Sequence, residues 1–173
     1  MAEVGAEERR VLVAVDESEE SMHALSWCLN NIVSDKFRDT LLLLYVKPPR
    51  AVSTALDGTG KRCYAEAYLF SSEVMLAIER YGNEVAEFVM EKAKRLCSEL
   101  GDVKVETRIE NGDARDVICQ MTDKLGADLL VMGSHGYGLI KRTFLGSVSN
   151  HCAQNAKCPV MIVKKPKSTP NGH

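Results

Sequence analysis

Short apolar runs alternate along the chain with longer stretches in which apolar residues recur every three or four positions. Arg10 to Val15 (RVLVAV), Thr40 to Val46 (TLLLLYV), Leu129 to Met132 (LLVM) and Val160 to Val163 (VMIV) are almost continuously apolar. Such runs suit strands buried on both faces of a parallel sheet. Val103, Val105, Thr107 and Ile109 alternate with polar residues instead and predict a further strand. Met22, Leu25, Leu29 and Ile32 fall at helical spacing behind the acidic segment 16–20, whose carboxylates suit the positive end of a helix dipole. A long helix is predicted to run to about Leu100, with Val85, Phe88, Val89, Leu96 and Leu100 on one face and Gly101 as a stop. Asn111-Gly112 turns the chain, Asp113 is placed to cap a helix carrying Val117, Met121 and Leu125, and Gly126 ends it. A last helix is expected between the LLVM and VMIV runs. Strand and helix in alternation over short connections predict an α/β fold, an open five-stranded parallel sheet with helices on both faces, Rossmann-like in layout.

Less regular segments set the boundaries. Lys47 to about Ser72 holds Pro48, Pro49, Gly58 and Gly60 and predicts an exposed variable loop (47–72). Residues 1–9 read as a flexible N-terminus, 10–164 as one domain and 165–173 as a disordered tail; a length of 173 residues fits that single domain. With 22 Lys and Arg against 24 Asp and Glu, the formal net charge of −2 removes the usual electrostatic case for a nucleic-acid partner. The longest apolar run, Leu41 to Val46, falls well short of the roughly 20 residues a bilayer crossing needs, so no membrane insertion is expected. The opening MAEVGAEERR does not read as a signal peptide. A cytoplasmic location is expected, with nuclear access through Lys164-Lys165-Pro166-Lys167 set against a plain solvated tail. The six cysteines, at 28, 63, 97, 119, 152 and 158, form no Cys-x-x-Cys and are expected to be reduced core thiols. A zinc site from His151, Cys152 and Cys158 matches no common ligand spacing.

Ligands of open α/β sheets bind beyond the carboxyl ends of the strands. Asp16 stands at one such end, and the loop from Gly133 to Ser149 follows another. Its glycines let backbone N–H groups approach a ligand, and Gly146-Ser147 opens a helix whose free N–H groups and dipole suit a phosphate. Lys141 and Arg142 either add charge there or solubilise the loop. The P-loop pattern fails at Leu139, and a Gly-x-Gly-x-x-Gly pattern begun at Gly136 fails at Lys141. Asp16 fits both a helix cap and a ligand contact. Ser147 and His151, four residues apart, could form a nucleophile and base, but no acidic partner is placed to orient His151, and a phosphate-facing serine is the preferred reading. His135 could approach a ligand, but a solvent-facing position in the loop is the preferred reading.

Gly133-x2-Gly136-x9-Gly146-Ser147, flanked by VAVDES (13–18), LLLYV (42–46), ENGDARDVI (110–118), DLLVMGSHGYG (128–138), LGSVS (145–149) and CPVMIVK (158–164), resembles the nucleotide-binding universal stress proteins from Arg10 to Lys164. The long insert after the second strand looks like the single-domain plant members. This resemblance implies an adenine nucleotide alpha hydrolase-like fold that binds ATP or AMP, with Mg2+ as an optional companion. It places Ala14, Val15 and Asp16 against adenine and ribose, and Val46 on adenine through its backbone. Met132 and Gly133 would line the ribose and first phosphate, while Gly136, Gly146, Ser147 and Val148 would hold the phosphates. Tyr137 stands where many members have arginine. The resemblance also implies a homodimer through Val160–Val163, which would cover an apolar strand edge. The implied role is a stress-response regulator or protective factor and not a fast enzyme. Two alternatives of other classes are a slow ATPase, with Asp16 helping to hold a metal, and a redox-dependent chaperone built on the cysteines.

Overall fold

The computed structural model describes residues 8–34, 38–49, 72–99, 103–135 and 145–166. Strands β1 (Arg10–Ala14), β2 (Thr40–Lys47), β3 (Lys104–Asn111), β4 (Leu129–Gly133) and β5 (Val160–Val163) alternate with helices α1 (Glu19–Asn31), α2 (Ser72–Ser98), α3 (Ala114–Lys124) and α4 (Ser147–Asn155). The five strands form one parallel sheet in the order β3-β2-β1-β4-β5. The expected sheet is therefore present, and its outer strands are β3 and β5.

Alternation along the central strands explains why their sequences are apolar throughout. Val11, Val13, Leu41, Leu43 and Val131 project to the face covered by α1 and α2, while Leu12, Leu42, Leu44, Leu130 and Met132 meet α3 and α4 on the other. Each fully buried leucine contributes roughly 1.5–3 kcal/mol through removal from water. Ser18 caps α1 by accepting the Ser21 N–H at 3.2 Å, with Glu19 and Glu20 in the first turn. Asp113 caps α3 by accepting the Arg115 N–H at 2.9 Å. Between β3 and that cap, Gly112 adopts a φ of 142°, which suits glycine, and donates its N–H to the Lys47 carbonyl at 3.0 Å. The amino end of the sheet is tied by Arg9, whose guanidinium spans both Asp39 carboxylate oxygens at 2.7 and 3.1 Å.

One expectation about a helix face is corrected. The buried stripe of α2 is Ala86, Val89, Met90, Ala93 and Cys97. Phe88 lies on the far side of that stripe at 3.6 residues per turn and is 66% exposed; Leu100 is outside the described residues. The alternating segment from Val103 to Ile109 does form the expected strand, β3, an outer strand on which Ile109 is 41% exposed. The proposed variable loop beyond Pro49 and the tail beyond Pro166 also fall outside the described residues.

Candidate functional site

The strand order reverses direction between β1 and β4, and loops leaving the two strands there diverge over opposite faces. At their carboxyl ends lies a cavity of about 640 Å3. Ala14, Val15, Asp16, Val46, Met132, Gly133, Gly146, Ser147 and Val148 all line it. The sequence-predicted Gly136 lies outside the described residues, as do Tyr137, Lys141 and Arg142.

One wall is an open strand edge. β1 ends at Ala14, opposite Leu44, and the Val15 N–H donates to the Leu44 carbonyl at 2.9 Å, so that carbonyl faces β1. Peptide groups of a strand return to the same side every second residue. The Val46 N–H and C=O therefore face the same way as those of Leu44, but past the end of β1 and into the cavity. The Lys47 carbonyl turns the other way, to the Gly112 N–H. Val46 thus offers one donor and one acceptor side by side.

A second wall is the start of α4. Gly146 is its N-cap, with no side chain to satisfy the first N–H groups of the helix. The Gly146 N–H itself is committed to the Ser134 carbonyl at 2.8 Å, and Ser149 Oγ donates to the same carbonyl at 2.9 Å. The donors that remain for an anion here are the N–H groups of Ser147 and Val148 and the exposed Ser147 hydroxyl, assisted by the helix dipole. A Cβ on Gly146 would stand 3.2 Å from the Ser134 carbonyl oxygen and 3.3 Å from His135 Cα, so a side chain there requires this backbone to give by a few tenths of an ångström.

Asp16 does not cap α1; that position belongs to Ser18. Asp16 Oδ1 instead accepts the Ser18 N–H at 3.0 Å and the Ser18 hydroxyl, in a turn that carries the chain from β1 into α1. Its neighbour Glu17 accepts the hydroxyl of buried Tyr45 at 2.9 Å. Burial, reinforced by the bond to Glu17, pushes the Tyr45 hydroxyl pKa upward, so Tyr45 remains a neutral donor. Among the described residues no group of three His, Cys, Asp or Glu is placed to hold a metal ion. That includes the set His151, Cys152 and Cys158.

His135 is half-buried and lines the cavity, contrary to its expected solvent-facing position. Its Nδ1 lies 3.1 Å from Ser134 Oγ, and its Nε2 is enclosed without a hydrogen-bond partner among the described residues. His151 does have an acidic neighbour, Asp116 of α3, with Nε2 to Oδ1 at 3.8 Å. That is beyond hydrogen-bond range, and among the described residues no hydrogen bond joins His151 to Ser147. A nucleophile and base pair is not assembled.

Several cavity residues were not singled out by sequence reasoning. Ala114 and Ile118, one turn apart in α3, add apolar wall, as do Tyr81 and Val85 of α2. The first pair was discoverable, since a helix opening immediately after a strand end faces the same rim. Tyr81 carried no such signal, because its place depends on how α2 packs against β2.

Comparison with known proteins identifies the family and the fold. The universal stress protein family model matches residues 8–164. A universal stress protein A-like protein from Arabidopsis thaliana is 32% identical over 94% of this chain and 93% of its own length. The crystal structure of a universal stress protein family protein from Arabidopsis thaliana with AMP bound has a TM-score of 0.63 and 28% identity, covering 94% of this chain and 96% of that one. A universal stress protein crystallised in complex with cAMP has a TM-score of 0.53 and 25% identity, covering 90% of this chain and 95% of that one.

Proposed function

The chain belongs to the universal stress protein family, and we propose that it binds an adenine nucleotide, AMP or ATP, at the carboxyl ends of β1, β2 and β4. The observation that carries this reading is the open Val46 peptide edge, which shares one apolar cavity with the N-terminus of α4. In this reading the Val46 N–H donates to a ring nitrogen of adenine, and the Val46 carbonyl accepts from the 6-amino group. Ala14, Val15, Met132 and Ile118 exclude water around the base, which strengthens those two bonds. Asp16 receives the ribose hydroxyls. Gly133 lines the ribose and first phosphate, and the N–H groups of Ser147 and Val148 meet the phosphates. Gly146 shapes the turn that presents those donors. Gly136 extends the same cradle in the family pattern.

Held in this way, the nucleotide acts as a signal, and the protein as a stress-response regulator or protective factor in the cytoplasm. Where Mg2+ accompanies ATP, Asp16 is the carboxylate of this chain that would help hold it. The homodimer implied by family resemblance is supported by β5, an outer strand that pairs with β4 and leaves Val160, Met161 and Ile162 half-buried.

Isothermal titration calorimetry of the full chain tests the reading. AMP or ATP is expected to bind one per chain, with GMP weaker by at least about tenfold, because a guanine carbonyl would face the Val46 carbonyl. Equal affinity for GMP, or no binding by a folded chain, would reject it.

A further inference from the structure

The described cysteines divide between the two faces of the sheet. Cys28 and Cys97 are buried under α1 and α2, and burial raises their thiol pKa values to about 12 and about 11. Cys119 and Cys152 lie on the opposite face, where Cys119 Sγ of α3 is 3.9 Å from Cys152 Sγ of α4. Nearby, His151 Nε2 of α4 lies 3.8 Å from Asp116 Oδ1 of α3, and Lys157, just beyond α4, pairs with Asp123 of α3 at 2.8 Å. Cys119 is half-buried and reachable from solvent, whereas Cys152 is fully enclosed. An S–S bond of about 2.05 Å requires the sulfurs to approach by roughly 1.8 Å, a distance that side-chain rotation with a small helix shift can cover.

We propose that Cys119 and Cys152 are a peroxide-oxidisable pair, whose disulfide links α3 to α4 and weakens nucleotide binding. In the first step the Cys119 thiolate attacks one peroxide oxygen and the O–O bond breaks. Cys119 becomes a sulfenic acid, and the departing hydroxide is protonated to water. In the second, Cys152 sulfur attacks the Cys119 sulfur and the S–O bond breaks. The Cys152 proton leaves with the hydroxyl as a second water. Two thiols are oxidised and one peroxide is reduced to two waters. Cys119 takes the first step because it is the more exposed of the two. Burial, which raises the Cys152 thiol to about 12, keeps Cys152 protonated toward peroxide, and it gives up its proton only as it attacks the adjacent sulfenic acid.

The effect on the site rests on the nucleotide reading above. Ala114 and Ile118, which precede Cys119 in α3, line the cavity, and so do Ser147 and Val148, which open the helix carrying Cys152. Drawing α3 and α4 together displaces the apolar wall against the phosphate-binding end.

The test treats the full chain with hydrogen peroxide, blocks free thiols and maps tryptic peptides. Cleavage after Arg115, Lys124, Arg142 and Lys157 places Cys119, Cys152 and Cys158 on three separate peptides. The expected product is 116–124 joined to 143–157, present in Cys158→Ser and lost in Cys119→Ser. AMP affinity of the oxidised chain is expected to fall at least about fivefold and to recover with dithiothreitol. Linkage through Cys158, linkage between chains, or Cys119 sulfinic acid without linkage would overturn the proposal, as would a correct linkage with unchanged AMP affinity. The wild-type peptide map needs no variant to fold. A reduced chain that binds no AMP would reject the nucleotide reading and the regulatory half of the proposal, while the map would still judge the disulfide.

Discussion

Gly133 at the end of β4 lies against Glu20 of α1: a Cβ there would stand 2.9 Å from the Glu20 carbonyl carbon and 3.0 Å from its oxygen. The first glycine of the Gly-x2-Gly-x9-Gly-Ser pattern thus lets a helix start approach the strand, in addition to bordering the cavity. Backbone atoms cannot rotate away as a side-chain tip can. Gly133→Ala is expected to destabilise the fold by about 1–3 kcal/mol. Urea unfolding checks this, and wild-type stability in the variant would show that the approach is looser than described.

Gly146 makes a different demand. Its neighbours at 3.2 and 3.3 Å are also backbone atoms, but they belong to the turn that presents the N–H groups of α4. Gly146→Val is expected to retain the far-UV circular dichroism of the wild type and to lose AMP affinity by about tenfold or more, about 1.4 kcal/mol. Unchanged affinity in calorimetry would detach this turn from binding.

Much of the sheet was legible because β1, β2 and β4 are buried on both faces, which writes continuous apolar runs into the sequence. The turns were legible for the same kind of local reason, as at Asp113, whose carboxylate caps the helix it precedes. Phe88 was misplaced because a 27-residue helix carries more than one apolar stripe, and only the packing of α2 on β2 and β3 decides which is buried. At the site, the glycine pattern and Asp16 were visible as residue types. The open Val46 edge was not visible as geometry, since it depends on β1 ending three residues earlier in register than β2. The Gly146 N–H bond to Ser134 and the Asp116–His151 approach likewise arise from tertiary contacts that no spacing encodes.

Asp39 anchors the opposite end of the sheet. Its buried carboxylate accepts from Arg9 at 2.7 and 3.1 Å and from the Ser34 N–H at 3.2 Å. Asp39→Ala is expected to cost about 2 kcal/mol, less than for a fully buried pair, because the Arg9 side chain is 36% exposed. Chemical denaturation measures the loss, and AMP affinity of the folded variant should be unchanged.

The α3 cap responds to acid. Side-chain and then backbone hydrogen bonds from Arg115 hold the Asp113 carboxyl at about 2, below its ordinary 3.8. The folded chain therefore favours the charged form. Its contribution to stability is complete above the unfolded pKa and is lost as pH falls from 3.8 through about 2. A carboxyl carbon NMR titration is expected to place the Asp113 midpoint well below 3.8, and Arg115→Ala should move it upward. An ordinary midpoint in the wild type would remove the cap from the acid response.

The central claim is the position of the adenine nucleotide, and amide NMR during an AMP titration tests it most directly. The largest shifts are expected at the N–H groups of Val46, Ser147 and Val148, with smaller shifts at Asp16 and Gly133. Little change is expected at Arg9 and Asp39, at the opposite end of the sheet. Saturable shifts confined to other surfaces, with those of Val46 and Ser147 unmoved, would contradict it.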